Sequence, residues 1–194
     1  MSTSTSSSLT RSRSADLLAL LGLVSGVVSS TWGQAFTLTE LQPVALVFGL
    51  DPGALPIGVF YGIAMGLGVA LWARKPWVAI VVLVITIYAW SAAVHTAFRL
   101  QRTTDEDVYL IAASLCAGAV GAGITHLGCA IFAPELRRPS RLILTCLVGA
   151  AAGMLYFLGM RKYLDERLLY VVWQPVVAYV IGLGMRPRAP SVQS

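Results

Sequence analysis

The chain of 194 residues carries a net charge of +5, yet only 12% of its residues are charged and 57% are hydrophobic, which gives a mean hydropathy of +0.75. Soluble domains contain about 25% charged residues, so this composition excludes an ordinary soluble domain. The arginines and lysines lie at the ends of apolar runs, where membrane topology and lipid head groups explain them. We therefore expect a lipid bilayer around the protein and no nucleic acid.

In chain order, residues 1–14 are polar and low in complexity, which predicts a disordered tail. Six apolar runs of about 20 residues follow, and each is long enough to cross the hydrocarbon layer as a helix. They predict an all-α integral membrane bundle over residues 15–185, with a short tail at 186–194. The predicted helices are 15–33, 55–73, 77–97, 108–132, 142–160 and 168–185, and residues 34–54 form a predicted external loop.

Positive charges predict the orientation of this bundle. With the N-terminus inside, the cytoplasmic segments hold nine arginines and lysines and the external loops hold five. We expect both termini in the cytoplasm and the protein in a bacterial inner membrane. Another interpretation of the first run remains open. Two arginines, a short apolar core and the small residues VSSTWGQA also resemble a secretory signal peptide, whose cleavage would leave five helices.

Glycines spaced four residues apart recur on three of the predicted helices. Because glycine lets two helix backbones approach closely, these GxxxG motifs predict the packing faces of the bundle or of a homo-oligomer. Residues 62–75 and 149–162 also match at six of fourteen positions, which leaves open an inverted repeat of the kind found in many transporters. The glycines are Gly22 and Gly26, then Gly58, Gly62 and Gly66, and finally Gly149 and Gly153.

The only two histidines of the sequence, His95 and His126, raise the question of a shared haem or metal. They fall on the third and fourth predicted helices, which form an antiparallel hairpin. Counted from the turn of that hairpin, they lie roughly 22 Å apart along the helix axis, at 1.5 Å per residue. Two axial ligands must face the same iron, so these histidines cannot serve as a pair within one chain.

His126 by itself has neighbours that can ligate a metal. Cys129 follows at i+3 on the same helix face, and Cys146 lies level with it on the next helix. These three residues are weak candidates for a zinc or copper site. Since a typical structural zinc site needs a fourth ligand, we predict no metal and no cofactor. Thr125 and Thr145 offer the alternative of hydrogen bonds to a buried neutral imidazole.

A second group of polar residues predicts a cavity. Tyr88, Ser91 and His95 recur at helical spacing on the third helix, and Tyr170 and Gln174 share a face of the sixth. Counted inward from the external ends, Gln174 lies level with Ser91. Polar residues at membrane depth are costly, so an outward-opening polar cavity is one interpretation. Interhelical hydrogen bonds and positions in the head-group layer are the other.

No Asp, Glu, Lys or Arg lies in the middle of a predicted helix, which argues against proton-coupled antiporters, voltage sensors and rotary ion carriers. Two functions remain open. One is a channel or facilitator for a small neutral or weakly polar solute, lined by the polar cavity. The other is an accessory or assembly subunit of a larger membrane complex, without catalytic chemistry of its own. An enzyme ranks third, because no nucleophile–base pair or phosphate loop is visible.

Overall fold

The computed structural model describes residues 5–32, 45, 47–101 and 106–185, with side chains from Ser14 onward. These described residues form α-helices and one 3₁₀ helix, and they contain no strand. The 3₁₀ helix, Pro134–Arg137, joins the fourth α-helix to the fifth. The α-helices are α1 (Thr5–Trp32), α2 (Leu55–Ala73), α3 (Trp77–Gln101), α4 (Asp107–Phe132), α5 (Pro139–Met160) and α6 (Leu168–Gly184).

Five of the described helices, α1 to α5, are long and apolar enough to cross a membrane. The sixth, α6, is also apolar but has 17 residues. The predicted all-helical class is therefore confirmed, and the apolar helices make this a multi-pass integral membrane protein. A sixth membrane span remains a prediction.

The helix ends differ from those predicted because hydropathy and helix geometry do not stop at the same residue. The predicted tail 1–14 overlaps α1, which continues back to Thr5. The C-terminal end of α3 lies at Gln101 and not at Ala97, so this helix includes polar residues that hydropathy leaves out. The fifth helix begins early, at Pro139, because proline suits the first turn of a helix. Residues 1–4, 33–44, 46, 102–105 and 186–194 lie outside the described part of the chain.

The helices form a ring in which α2 to α5 pack mainly against their neighbours in the sequence, whereas α1 and α6 pack mainly against each other and close the ring. At this closing contact the two backbones meet directly. A Cβ atom on Gly22 would lie 2.8 Å from the Cα of Pro175, and one on Gly26 would lie 2.5 Å from the carbonyl oxygen of Tyr170. Neither position has space for a side chain.

The other glycines of the GxxxG motifs also face a neighbouring helix of the same chain. On α2, a Cβ at Gly58 would lie 3.1 Å from the Cα of Ile87, at Gly62 2.9 Å from the Leu83 carbonyl oxygen, and at Gly66 2.5 Å from that of Ala79. On α5, a Cβ at Gly149 would overlap Ala122, and one at Gly153 would overlap the carbonyl oxygen of Ser114. The α2–α3 and α4–α5 contacts are thus as close as the α1–α6 contact.

Candidate functional site: a cavity beside an aromatic cluster

Gln174, one of the predicted cavity residues, is fully buried between α6 and α1. Ser25 donates a hydrogen bond from Oγ to Oε1 of Gln174 at 2.6 Å, and Gln174 donates from Nε2 to Oγ of Ser29 at 3.2 Å. The two serines lie one turn apart on α1, so a single amide reaches both. The Gln174 side chain therefore joins two helices, and it does not line the cavity described below.

The three predicted residues on α3 lie in different surroundings. Ser91 is buried, and its Oγ accepts a hydrogen bond of 2.8 Å from the backbone N–H of Asp51. His95 is exposed, with Nε2 at 3.4 Å from the carbonyl oxygen of Gly49. Tyr88 is 44% exposed. Ser91 and His95 therefore contact the segment that precedes α2, whereas Tyr88 lies on the outside of the bundle.

A cavity of about 260 Å³ lies at this end of the bundle, among helices α2 to α6, and it is partly open to the surface. The helix α4 lines it with Ser114, Ala117, Gly118 and Gly121, and α5 adds Gly153. These small residues leave room for the cavity, because none of their side chains has more than two heavy atoms. Of the five residues predicted to line a cavity, Tyr170 does so; the other four do not.

Four aromatic residues from α2, α3 and α6 form a cluster at the cavity, which we call the aromatic cluster: Tyr61, Trp90, Tyr170 and Trp173. The ring centroids of Trp90 and Trp173 are 5.3 Å apart, those of Trp90 and Tyr170 6.0 Å, and those of Tyr61 and Trp173 5.7 Å. Three of the pairwise contacts thus fall in the range of favourable aromatic pairs. Trp90, Tyr170 and Trp173 line the cavity, and Tyr61 lies behind them, fully buried.

The aromatic cluster is held in place by a hydrogen bond to α5. Trp173 donates from Nε1 to the carbonyl oxygen of Gly149 at 3.0 Å. Within the described part of the chain, Tyr61 Oη and Trp90 Nε1 are buried and have no hydrogen-bond partner. Leaving such a buried polar atom unsatisfied costs about 1–3 kcal/mol. These two atoms therefore remain available for a hydrogen bond within the cluster that borders the cavity.

Asp51 supplies the charge of this site, as the single ionisable acid or base among the described residues that line the cavity, tyrosines aside. Its carboxylate Oδ1 accepts a hydrogen bond from the backbone N–H of Ala54 at 2.9 Å, and its own N–H is bonded to Ser91. These two bonds fix Asp51 between α3 and the start of α2. The cavity therefore combines aromatic rings with one immobilised carboxylate.

At the other end of the bundle, His126 joins three elements. It is buried, and its Nε2 donates to the carbonyl oxygen of Leu136 in the 3₁₀ helix at 2.9 Å. Its Nδ1 lies 2.8 Å from Oγ1 of Thr145 on α5, and that hydroxyl also lies 2.9 Å from the carbonyl oxygen of Arg141, so its single proton is available to either acceptor. Both ring nitrogens are therefore used to hold α4, α5 and the 3₁₀ helix together.

The three weak metal candidates do not form one cluster. Cys129 is fully buried, and a Cβ on Gly123 would lie 3.0 Å from Sγ of Cys146. Across the described ranges of the chain, no group of three or more His, Cys, Asp or Glu side chains could hold a metal ion. The other threonine considered for His126, Thr125, has its buried Oγ1 without a partner among these residues.

Sequence reasoning missed the residues that line most of the cavity, above all Trp90, Trp173 and Asp51. A signal was present at Trp90, because tryptophan in membrane proteins concentrates at the interfaces, whereas this one lies in the middle of α3. Small residues on α4 gave no such signal, since glycine and alanine equally indicate close packing. No protein-family model matches the chain, and no curated protein or solved structure matches it significantly.

Proposed function

We propose that the protein is a facilitator that admits one small solute into the cavity beside the aromatic cluster. The observation that supports this most directly is the cavity itself, with a volume of about 260 Å³ inside a membrane bundle. Pockets for drug-sized ligands measure about 300–1,000 Å³, so a smaller molecule fits. The lining is mainly apolar and aromatic, which favours a solute that carries apolar groups.

The half of the bundle away from the cavity is tightly packed, which supports a state of the facilitator that is open at one end only. Beyond the aromatic cluster, the core is filled by side chains that are fully or almost fully buried, among them Met65, Val69, Val82 and Ile181. A solute in the cavity meets Trp90 and Trp173 before this packed region. In our proposal the aromatic cluster is the gate, and transport requires its rings to separate.

The orientation of the proposed facilitator follows from six membrane spans with both termini in the cytoplasm of a bacterial cell. At 1.5 Å per residue, the 17 residues of α6 rise about 26 Å, close to the thickness of the hydrocarbon layer. The cavity then opens on the external side, since it lies at the ends of α3 and α5 and the starts of α4 and α6. We assign the GxxxG glycines to the rigid seams of the bundle around it.

The second candidate is the accessory subunit of a larger membrane complex. It is favoured by α5, the span whose residues are least buried within the chain. Ile143, Leu144 and Leu147 are 58%, 51% and 62% exposed on this helix. Such a face accepts either lipid chains or a partner's helix, including that of a second copy. In this alternative the cavity has no transport role.

A flux assay in proteoliposomes tests the proposal. Stopped-flow light scattering measures the entry of a panel of small neutral and cationic solutes, with empty liposomes as the baseline. Ala117 lines the cavity, so Ala117→Phe fills it and should abolish any flux above that baseline. Ala151 is exposed on α5, and Ala151→Phe is the matched control with unchanged flux.

Two results would count against the facilitator. One is a flux that Ala117→Phe leaves intact while the variant folds normally, because the solute would then bypass the cavity. The other is the absence of flux for every solute, together with a second protein in fixed stoichiometry after mild detergent extraction. That combination supports the accessory subunit instead.

A further inference from the structure

The cavity has a combination of groups that points to a particular chemical class of solute. Five aromatic residues line it, namely Trp90, Phe98, Tyr156, Tyr170 and Trp173. The negative faces of aromatic rings attract cations, and tryptophan does so most strongly. A ring-lined cavity of this size therefore suits a compact cation whose charge is surrounded by apolar groups.

The charge of the lining agrees with this reading. Among the described residues that line the cavity, Asp51 carries a full negative charge and no lysine or arginine occurs. Asp51 forms no salt bridge within these same stretches of chain, where the two ion pairs are Arg161–Asp107 and Lys162–Glu166. An anion in the cavity would meet the Asp51 carboxylate without a compensating cation in the lining, so the lining disfavours it.

Asp51 is held against α3, the helix that carries Trp90. The backbone N–H of Asp51 is bonded to Ser91 at 2.8 Å, and Ser91 follows Trp90 in the sequence. The Trp90 ring in turn lies 6.0 Å from Tyr170 and 5.3 Å from Trp173, measured between centroids. Asp51 and these three aromatic residues line the same cavity, and a carboxylate and an aromatic ring attract the same charge.

We propose that the solute of this cavity is a small organic cation, a quaternary ammonium or a protonated amine with short alkyl substituents. Its charged head binds between Asp51 and the rings of Trp90, Tyr170 and Trp173, and its apolar part lies on the small residues of α4. This inference rests on the proposed solute-binding function and names the class of solute. It differs from the neutral solute expected from the sequence.

A pair of isosteric probes tests the role of charge. Choline and 3,3-dimethyl-1-butanol have the same shape, but only choline carries a positive charge. Isothermal titration of the purified protein in neutral detergent should give a Kd for choline at least about tenfold below that for the alcohol. This comparison uses the unmodified chain, so it does not depend on whether a variant folds.

Variants of Asp51 test the role of the carboxylate. Asp51→Asn keeps an Oδ1 acceptor for the N–H of Ala54 and should weaken choline binding about tenfold, with no change for the alcohol. Asp51→Glu should recover part of the choline affinity. Asp165 is the matched control, because it is exposed and its Oδ1 also accepts a backbone N–H, from Arg167 at 2.8 Å. Asp165→Asn should leave both affinities unchanged.

The outcomes separate this inference from the proposed function. Equal Kd values for choline and the alcohol would overturn the cation inference and leave a solute-binding cavity standing. Choline binding that Asp51→Asn does not alter would overturn it as well. No binding of either probe, combined with flux of neutral solutes that Ala117→Phe blocks, would reject the cation and retain the facilitator. No binding and no flux of any solute would reject both.

Discussion

Ser25 and Gln174 are separated by 149 residues in the sequence, yet Ser25 Oγ lies 2.6 Å from Gln174 Oε1 and donates a hydrogen bond to it. This bond joins the first helix of the bundle to the last. It also explains why Gln174 is tolerated inside an apolar helix, since its amide is satisfied by Ser25 and Ser29.

Gln174→Leu should therefore lower the stability of the protein. The substitution removes two buried hydrogen bonds, each worth about 0.6 kcal/mol on average between membrane helices, so we expect a loss of about 1 kcal/mol. Thermal unfolding in detergent, followed by circular dichroism, measures the change in Tm. Gln101→Leu is the control, because Gln101 donates one partly buried bond of 3.2 Å to Tyr156. An unchanged Tm for Gln174→Leu would contradict the interhelical role.

Gly153→Ala should separate α5 from α4. A Cβ at Gly153 would overlap the carbonyl oxygen of Ser114, and backbone atoms cannot move aside as a side chain can. Gly121→Ala is the matched control on the facing helix, because its Cβ would meet side chains, at 3.3 Å from Ala93 and 3.5 Å from Trp173. We expect a lower Tm for the first variant and a smaller change for the second, where better helix propensity offsets the crowding. Equal Tm values would argue against a glycine seam here.

His126→Phe should destabilise the protein through lost hydrogen bonds rather than through loss of a metal. The change leaves the Leu136 carbonyl and the Thr145 hydroxyl without the imidazole, at a cost of about 1–3 kcal/mol. His95→Phe is the matched control on an exposed residue. Thermal unfolding with and without a chelator distinguishes the two explanations. A chelator that lowers the Tm of the unchanged protein would point to a bound metal.

The three cysteines should differ in reactivity towards N-ethylmaleimide in detergent. Cys116 is exposed on the outside of the bundle, whereas Cys129 is buried, so we expect the first to be modified before the second, which should react only after unfolding. Intact mass spectrometry of the labelled protein, followed by peptide mapping, gives the order. Protein unfolded in SDS serves as the control, in which all three thiols react. Early labelling of Cys129 would mean that α4 does not pack as described.

Reporter fusions test the orientation in the membrane. A fluorescent protein fused after Ser194 should fold and fluoresce in the cytoplasm, and a periplasmic phosphatase at the same position should be inactive. The mass of the purified protein addresses the first helix separately. A chain that retains α1 keeps the Ser25–Gln174 bond, whereas signal cleavage would remove it together with the mass of α1.

The helical class of this protein could be predicted because each apolar run is about as long as a membrane-spanning helix, and a lone strand in lipid would leave its backbone unpaired. The ends of the individual helices could not be predicted, since a helix continues wherever its backbone hydrogen bonds continue. Thus α3 runs on to Gln101, past the residue where hydropathy falls. Similarly, α5 begins at Pro139, a residue that hydropathy leaves out but that suits the first turn of a helix.

The site was harder to predict, because a helix buried on several sides has more than one inward face. Counting residues from the predicted helix ends places Ser91 level with Gln174, but Ser91 is bonded to Asp51 and Gln174 to α1. Periodicity shows that such residues share a helix face, and it does not show which neighbour that face meets. The cavity itself arises where small residues on α4 stand opposite Trp90 and Trp173. The cavity thus depends on how residues of different helices face each other, and this produces no pattern in the sequence of a single helix.

The closure of the ring by α1 and α6 has a consequence for how the protein is made. At translation rates of about 5–20 residues per second, Ser25 waits about 7–30 s for the synthesis of Gln174, 149 residues later. During this interval its hydroxyl can bond back to its own helix, as Ser30 does to Val27 at 2.8 Å. The helix α1 therefore gains its main packing partner, α6, only after the rest of the bundle has been made, and a chain that stops before α6 leaves the ring open.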